Sequence, residues 1–384
     1  MTLAPSRLLS LLCALLLAGS AAASGPLAAA APATPPPPPL TVHFFDVGQG
    51  DAALIVSPSG KTVLIDGGPP EAGPALARRL KELVKGPLDL VILTHPHLDH
   101  LGGLPDALEA VGARRYMDPG FDHPSRAYRD LLTLVGARVG QVLTPTPDPL
   151  HPEVPVQVGL GAGVSLSILW PRVPVEPFLA HTRSDANSNS IVVRLTYGRT
   201  AMLLVGDAEK DTEERLLAEH RDLSAALLKV AHHGGGYSST VPFLEAVRPR
   251  FAVISCGAGN DYGHPSPETL ARLRAVGAEV LRTDLQGEVT AQSDGTQLTV
   301  SAARPPSAAP APPARAASAP APATAAPATT VPSAKAPYVG LKGSPVFHRA
   351  DCPSLAHAST KGRTYYPTRE AAARERRPAK DCHP

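Results

Sequence analysis

Residues 41–302 predict a layered α/β domain, and three observations carry that expectation. Short apolar runs rich in Val, Ile and Leu recur between Gly, Pro and Asp, the pattern of buried strands. Segments with apolar residues at helical spacing alternate with them, which favours sheet and helix in layers. One apolar run, 90–93, ends directly in Thr94-His95-Pro96-His97-Leu98-Asp99-His100. There a buried strand stops and its loop presents three imidazoles and a carboxylate at one spot.

The elements follow in order. Residues 42–45, 52–56 and 62–65 read as strands. Residues 74–85 place Leu76, Leu80, Leu83 and Val84 on one helical face. A strand over 88–93 leads into the histidine loop, and a short helix follows over 104–111. Residues 125–135 predict a helix, and 144–155 is proline-rich. Strands return at 164–169, 191–196 and 201–205, with Tyr197-Gly198-Arg199-Thr200 as the turn between the last two. Residues 207–220 read as a helix with Glu213, Glu214 and Arg215 on its polar face. Residues 226–230, 251–255 and 297–301 complete the strands, and Ser266-Pro267 supplies a cap followed by a first-turn proline.

The flanks differ in composition. Arg7, an apolar core over 8–17 and Ala21-Ala22-Ala23 make residues 1–24 read as an export leader, too short for a membrane span. The mature chain is therefore expected outside the cytoplasm: extracellular, periplasmic or at the cell surface. No other run reaches membrane-helix length, and no protein partner can be inferred. Residues 25–40 form an Ala/Pro spacer, and 303–336 an Ala/Pro/Ser/Thr linker that cannot bury a core. A small basic module occupies 337–384. Residues 41–302 carry 23 Lys/Arg against 30 Asp/Glu, a net of −7, whereas 337–384 carry 9 against 4, a net of +5. Attraction for polyanions is thus assigned to the tail, with solubility as its plainer role. After leader cleavage Cys256, Cys352 and Cys382 remain, an odd number that makes no tidy disulfide framework. Cys256 follows an apolar run and reads as core.

Burying several histidines together is costly unless something binds them. Imidazole with carboxylate suits zinc, and also iron or manganese. The motif His-x-His-x-Asp-His at 95–100 resembles the metal-binding signature of the metallo-β-lactamase superfamily. Upstream, Phe45-Asp46-Val47-Gly48-Gln49-Gly50-Asp51 and Leu64-Ile65-Asp66-Gly67-Gly68 are similar to the hydrolase domain of ComEC-type competence proteins. Downstream, Val205-Gly206-Asp207, Lys229-Val230-Ala231-His232-His233-Gly234 and Gly263-His264-Pro265 continue in the same order. That resemblance implies a four-layer αββα sandwich with a site at one edge. It also implies two divalent metal ions, zinc foremost with manganese as the other candidate.

On this resemblance His95 and His97 would hold a first metal, and Asp99 and His100 a second. Asp207 would bridge them, or cap the following helix, or do both. One of His232 and His233 would be a ligand, with His232 favoured. His264 would be a further ligand or a proton donor, or else would cap a helix. Lys229 would neutralise a phosphate, or end a strand in solvent. Asp66 and Asn189 would orient ligands from behind, and Asp51 shares the strand-end setting. The superfamily often carries a further histidine before the Gly-Asp motif. His123, His151 and His181 do not match its surroundings, and Asn187-Ser188-Asn189-Ser190 stands there instead.

The tail resembles the small zinc-binding domain of the Ada type. The corresponding positions are His348, Cys352, Ala379 and Cys382, with Ala379 replacing an expected thiolate and His383 as a substitute. A structural zinc and a Cys352–Cys382 disulfide both remain open, and either would staple a module with little core.

The reading that follows is an exported metal-dependent hydrolase: a phosphodiesterase or nuclease acting on DNA through a metal-activated water, with the tail holding the polymer. Two others stand beside it. One is a hydrolase of small phosphoesters or phosphorylcholine-type diesters. The other is a non-catalytic nucleic-acid-binding protein.

Overall fold

The computed structural model describes residues 38–305 and, in the tail, 337–341, 344, 346–350, 352, 355, 363–366, 368–373 and 376–378. The leader, most of the spacer, residues 306–336, and Ala379, Cys382 and His383 lie outside the described residues. The chain divides into two units, Met1–Ala309 and Pro310–Pro384.

The first unit holds two sheets. Strands β1 (Leu40–Phe44), β2 (Ala53–Val56), β3 (Thr62–Ile65), β4 (Leu90–Ile92), β5 (Arg115–Met117) and β6 (Gln141–Leu143) belong to the first. Strands β7 (Val156–Gly159), β8 (Val164–Trp170), β9 (Val192–Tyr197), β10 (Thr200–Leu204), β11 (Leu227–Lys229), β12 (Phe251–Ile254) and β13 (Glu279–Arg282) make the second. Then β14 (Val289–Ser293) and β15 (Leu298–Ala302) return to the first. The first sheet runs β15-β14-β1-β2-β3-β4-β5-β6, and the second β13-β12-β11-β10-β9-β8-β7.

Alternation along the strands makes the layers. In β3 and β4, Val63, Ile65, Leu90 and Ile92 face a core shared with Met202, Leu204, Leu227 and Val253 of the second sheet. Between them Leu64 and Val91 point outward, against α1 (Gly73–Leu83), α3 (Leu104–Ala110) and α4 (Arg126–Arg138), the short α2 (Leu98–Leu101) lying among these in sequence. On the far side Leu203, Leu228, Ala252 and Ile254 point outward against α6 (Lys210–Ala218), α7 (Val241–Val247) and α8 (Pro267–Ala275), with the short α5 (Asp185–Ser188) preceding them. The order is helix, sheet, sheet, helix: an αββα sandwich. Strands buried on both faces need continuous apolar runs, and the runs in the sequence reflect that.

Several local features follow the sequence directly. Ser125 and Ser266 cap α4 and α8 by accepting from the Tyr128 and Thr269 amides. Gly198-Arg199 turns β9 into β10, with Tyr197 paired to Thr200. Cys256 is buried in the outer core of the second sheet. Strands β5, β6, β7, β13 and β14 have no counterpart in the sequence reading. Most are short or only partly apolar, and pairing with neighbours defines them. Glu213 does not face solvent: it is buried and its carboxylate accepts from the Ser239 and Thr240 amides at the start of α7.

Topology positions the site. β3, β4, β5 and β6 are parallel to one another, as are β10, β11, β12 and β13. The loops after β3, β4, β10, β11 and β12 carry the candidate residues. Ligand sites in α/β sheets form beyond the carboxyl ends of parallel strands.

The tail unit is a small sheet in the order β18-β16-β17-β19, formed by β16 (Tyr338–Leu341), β17 (Val346–Arg349), β18 (Arg363–Tyr366) and β19 (Arg377–Pro378). Val339, Cys352 and Leu355 form one small cluster, and Phe347, Tyr366 and Ala372 another. Among the described residues Cys352 has no disulfide partner, and its Sγ lies 3.6 Å from Nδ1 of His348.

Candidate active site

Two glycines let the loops meet. A Cβ on Gly50 would lie 2.3 Å from the Asp99 carbonyl oxygen, and one on Gly206 would lie 2.9 Å from the Thr94 side chain. Backbone can approach this closely only without side chains. The loop after β4 is thereby packed against the loop before β2 and against the end of β10.

His100 is fully buried and its Nδ1 donates to Asp66 Oδ2 at 2.8 Å. Asp66 is fixed in turn, accepting from the Thr94 amide and hydroxyl at 2.7 Å each. This leaves His100 Nε2 facing Asp207 Oδ1 at 3.3 Å and Asp99 Oδ2 at 3.8 Å. A carboxylate behind an imidazole that fixes its free nitrogen is the usual support of a metal ligand. His233 is supported alike: Nδ1 donates to the Ser255 carbonyl at 3.0 Å, and Nε2 faces Asp99 Oδ2 at 3.1 Å and Asp207 Oδ2 at 3.6 Å. His95 Nε2 lies 3.0 Å from His97 Nδ1 and 3.8 Å from Asp207 Oδ2. The Asp207 carboxylate therefore stands between the His95–His97 pair and the Asp99–His100–His233 group.

The electrostatics follow from burial and crowding. Burial opposes charge on Asp51, but Lys229 and His233 outweigh it and hold that carboxyl at about 2. Burial also opposes charge on His233, yet Asp207 and Asp51 lift it to about 10. His95 is pushed well down, first by burial and then by His100. Burial and the neighbouring His232 and His233 lower His264 to about 4, so it is neutral near pH 7.

Ligand atoms of Asp99, His100, Asp207 and His233 all lie within 4.8 Å of one another, and those of Asp51, Asp66 and His100 form a second such group. His100 Nε2 and Asp207 Oδ1 are buried without a hydrogen-bond partner among the described residues. A buried imidazole nitrogen and a buried carboxylate oxygen facing each other without a hydrogen bond, in a set of imidazoles and carboxylates, fit a divalent cation.

The structure treats the predicted residues unequally. His95, His97, Asp99, His100, Asp207 and His233 converge. Of the two adjacent histidines, His233 is the buried member of the close group. His232, its side chain 17% exposed, touches Asp207 Oδ2 at 3.8 Å and Glu209 Oε1 at 3.3 Å. Both take left-handed backbone, φ 50° and 54°, which turns adjacent side chains to the same region. Asp207 does not cap α6, which begins at Lys210 after Glu209. His264 does not cap α8, since Ser266 does; its ring lies edge-on to His232 at 5.4 Å.

Lys229 does not end in solvent: it is buried, and Nζ donates to Asp51 Oδ2 at 2.8 Å and to the Val230 carbonyl. Asn189 does not reach a candidate ligand. Its amide clamps a loop, donating to the Leu179 and Asp185 carbonyls and accepting from the Leu179 amide. The neighbouring Asn187 donates instead to Glu209 Oε1 at 3.2 Å. Glu209 was not legible as a site residue, although its place two residues after Asp207 was the available signal. His123, set aside in the sequence, lies 5.8 Å from His97, ring to ring.

Fold and site together define a metal-dependent hydrolase. The metallo-beta-lactamase superfamily profile matches residues 45–258, more than half of the chain, and the chain belongs to that superfamily. Within it, the chain is similar to competence-type proteins. It is 29% identical to ComE operon protein 3 of Bacillus subtilis, over 65% of this chain and 32% of that protein. It is 30% identical to Recombination protein 2 of Haemophilus influenzae, over 68% and 30% respectively. The chain thus spans about a third of the length of these relatives. Among solved structures, Igni18, a metallo hydrolase of Ignicoccus hospitalis, aligns at 17% identity and a TM-score of 0.41, covering 65% of this chain and 98% of that one. No described helix is long and apolar enough to cross a membrane.

Proposed function

We propose that this chain is an exported phosphodiesterase that cuts DNA with two divalent cations, zinc foremost. The observation that carries the reading is the Asp207 carboxylate set between two histidine groups, 3.8 Å from His95 and 3.3 Å from His100. A carboxylate so placed suits a bridge between paired cations. Such cations, when bound, supply activation of water and neutralisation of a phosphate oxygen. His95 and His97 would hold one, and Asp99, His100 and His233 the other.

This chain's own residues do the rest. Asp66 and the Ser255 carbonyl hold the Nδ1–H of His100 and His233, so that each Nε2 is turned towards Asp99 and Asp207, where a cation would bind. The Lys229–Asp51 pair ties the two sheets together beneath the site. DNA is favoured as substrate because relatives are named as competence and recombination proteins. The basic tail would hold the polymer, through phosphate contacts that weaken steeply with salt.

The test is cleavage of plasmid and linear DNA by the mature protein with zinc or manganese, beside Asp99→Ala and a chain ending at Ala303. We expect cleavage to fall by a factor of ~10³ or more in Asp99→Ala, the scale of losing a principal electrostatic group. Without the tail it should weaken but persist. Wild-type protein that leaves DNA intact with either metal sinks the reading.

A further inference from the structure

Two aromatic side chains stand out for being uncovered. Among the described residues, only Tyr237 (59% exposed) and Tyr262 (72% exposed) are strongly exposed aromatics. Both lie at the candidate site, at the two ends of one string of contacts. Tyr262 stacks on His264, with ring centroids 5.8 Å apart and planes 28° from parallel. His264 meets His232 at 5.4 Å, and His232 Nδ1 lies 3.3 Å from Glu209 Oε1. Glu209 holds Arg183 Nη1 at 2.8 Å, and the Arg183 guanidinium sits 4.1 Å over the Tyr237 ring. The string passes through His232, itself 3.8 Å from Asp207.

Neither ring is on a loose tether. Asn260 accepts from the Tyr262 and His264 amides, and donates to the Gly257 and His264 carbonyls, closing the 257–264 loop on itself. The Tyr237 carbonyl accepts from the Lys210 amide at the start of α6, and Arg183 covers one ring face. Each tyrosine therefore presents an open face in a set position, and each is backed by a second planar group.

From this we propose that Tyr237 and Tyr262 are stacking platforms for unpaired nucleobases, and that the site selects single-stranded nucleic acid. The proposal rests on the phosphodiesterase reading and adds its substrate class. Every nucleobase offers a π face to such a ring, but in a duplex those faces are covered by neighbouring base pairs. A choline headgroup is a poorer occupant. It needs aromatic faces turned on one cation, whereas here the tyrosines stand at opposite ends of the string and Tyr237 already carries a guanidinium.

The test compares wild-type protein with Tyr237→Ala, Tyr262→Ala and both Tyr→Phe variants, with zinc or manganese. Substrates are single-stranded oligothymidine, the same strand with a central abasic tract, the matching duplex, and p-nitrophenylphosphorylcholine. Wild type should cut the single strand faster than the duplex and faster than the abasic strand. Each alanine should lower the thymine-over-abasic ratio of kcat/KM roughly five-fold or more, the equivalent of about 1 kcal/mol of base stacking. Each phenylalanine should restore it, because the ring and not the hydroxyl stacks. An unchanged ratio in both alanine variants overturns the proposal. So does a wild type that prefers duplex, or alanine variants that lose choline-diester turnover but keep the ratio. Failure of the underlying reading looks different: wild-type protein then cuts none of the nucleic acids.

Discussion

The two halves of the site are built in opposite ways. On the first sheet, His95, His97, Asp99 and His100 come from six consecutive residues after β4. On the second, Asp207, His233 and His264 come from three loops after β10, β11 and β12. The first half is a local motif, and the short turn of α2 is enough to gather its side chains. The second exists only because parallel strands bring their ends to one edge, and because His232 and His233 take backbone that few non-glycine residues adopt. A motif is therefore readable in one half, while the other depends on long-range assembly. What joins them is the buried pair of Asp51, before β2, and Lys229, at the end of β11.

The largest effect should come from breaking that join. Lys229→Met leaves the buried Asp51 carboxylate without its ammonium partner and with His233 alone opposite it, a break in a buried pair that costs about 3–5 kcal/mol in such settings. Urea unfolding should show the loss, and adding Asp51→Asn should recover part of it. If Lys229→Met unfolds like wild type yet no longer cleaves DNA, the ammonium serves a substrate phosphate and the join is elsewhere.

A smaller effect should come from loosening the first half alone. Asp66→Asn removes the acceptor that fixes His100, the kind of change that weakens metal binding by about 10–100-fold. Zinc titration against a competing chromophoric chelator measures this directly. Unchanged affinity would mean that His100 is held by packing and not by its carboxylate.

The same contrast explains how much could be read in advance. The layered α/β class was legible because apolar strand runs such as β3, β4, β10 and β12 alternate with helical segments, and the resemblance to the metallo-β-lactamase superfamily supplied the αββα order. The cluster at 95–100 was legible because its donors are contiguous. The burial of Lys229 was not legible, because its partner Asp51 lies 178 residues away in sequence. Asn189 was misread because its surroundings, not its spacing, decide which backbone groups it clamps. Glu209 and the exposed tyrosines were missed because they matter only through neighbours supplied by other loops.

The smallest effect concerns the first sheet away from the site. Glu288 receives His43 at 2.8 Å and Arg79 at 3.0 Å, tying the start of β14 to β1 and α1. Burial would raise its pKa, but His43 and Arg79 outweigh that and bring it from 4.5 to about 2. A carboxylate depressed on folding contributes stability that is fully present above its unfolded value. That contribution disappears as pH falls through its folded value. Glu288→Gln should therefore lower stability by about 1 kcal/mol or less at pH 7, the scale of a partly exposed ion pair. The gap to wild type should narrow as pH drops from 4.5 towards 2. Because this bridge joins β14, β1 and α1 and includes none of the candidate ligands, metal affinity should not change with it. A coupled change in both would show that the contiguous half of the site depends on its sheet as much as the assembled half does.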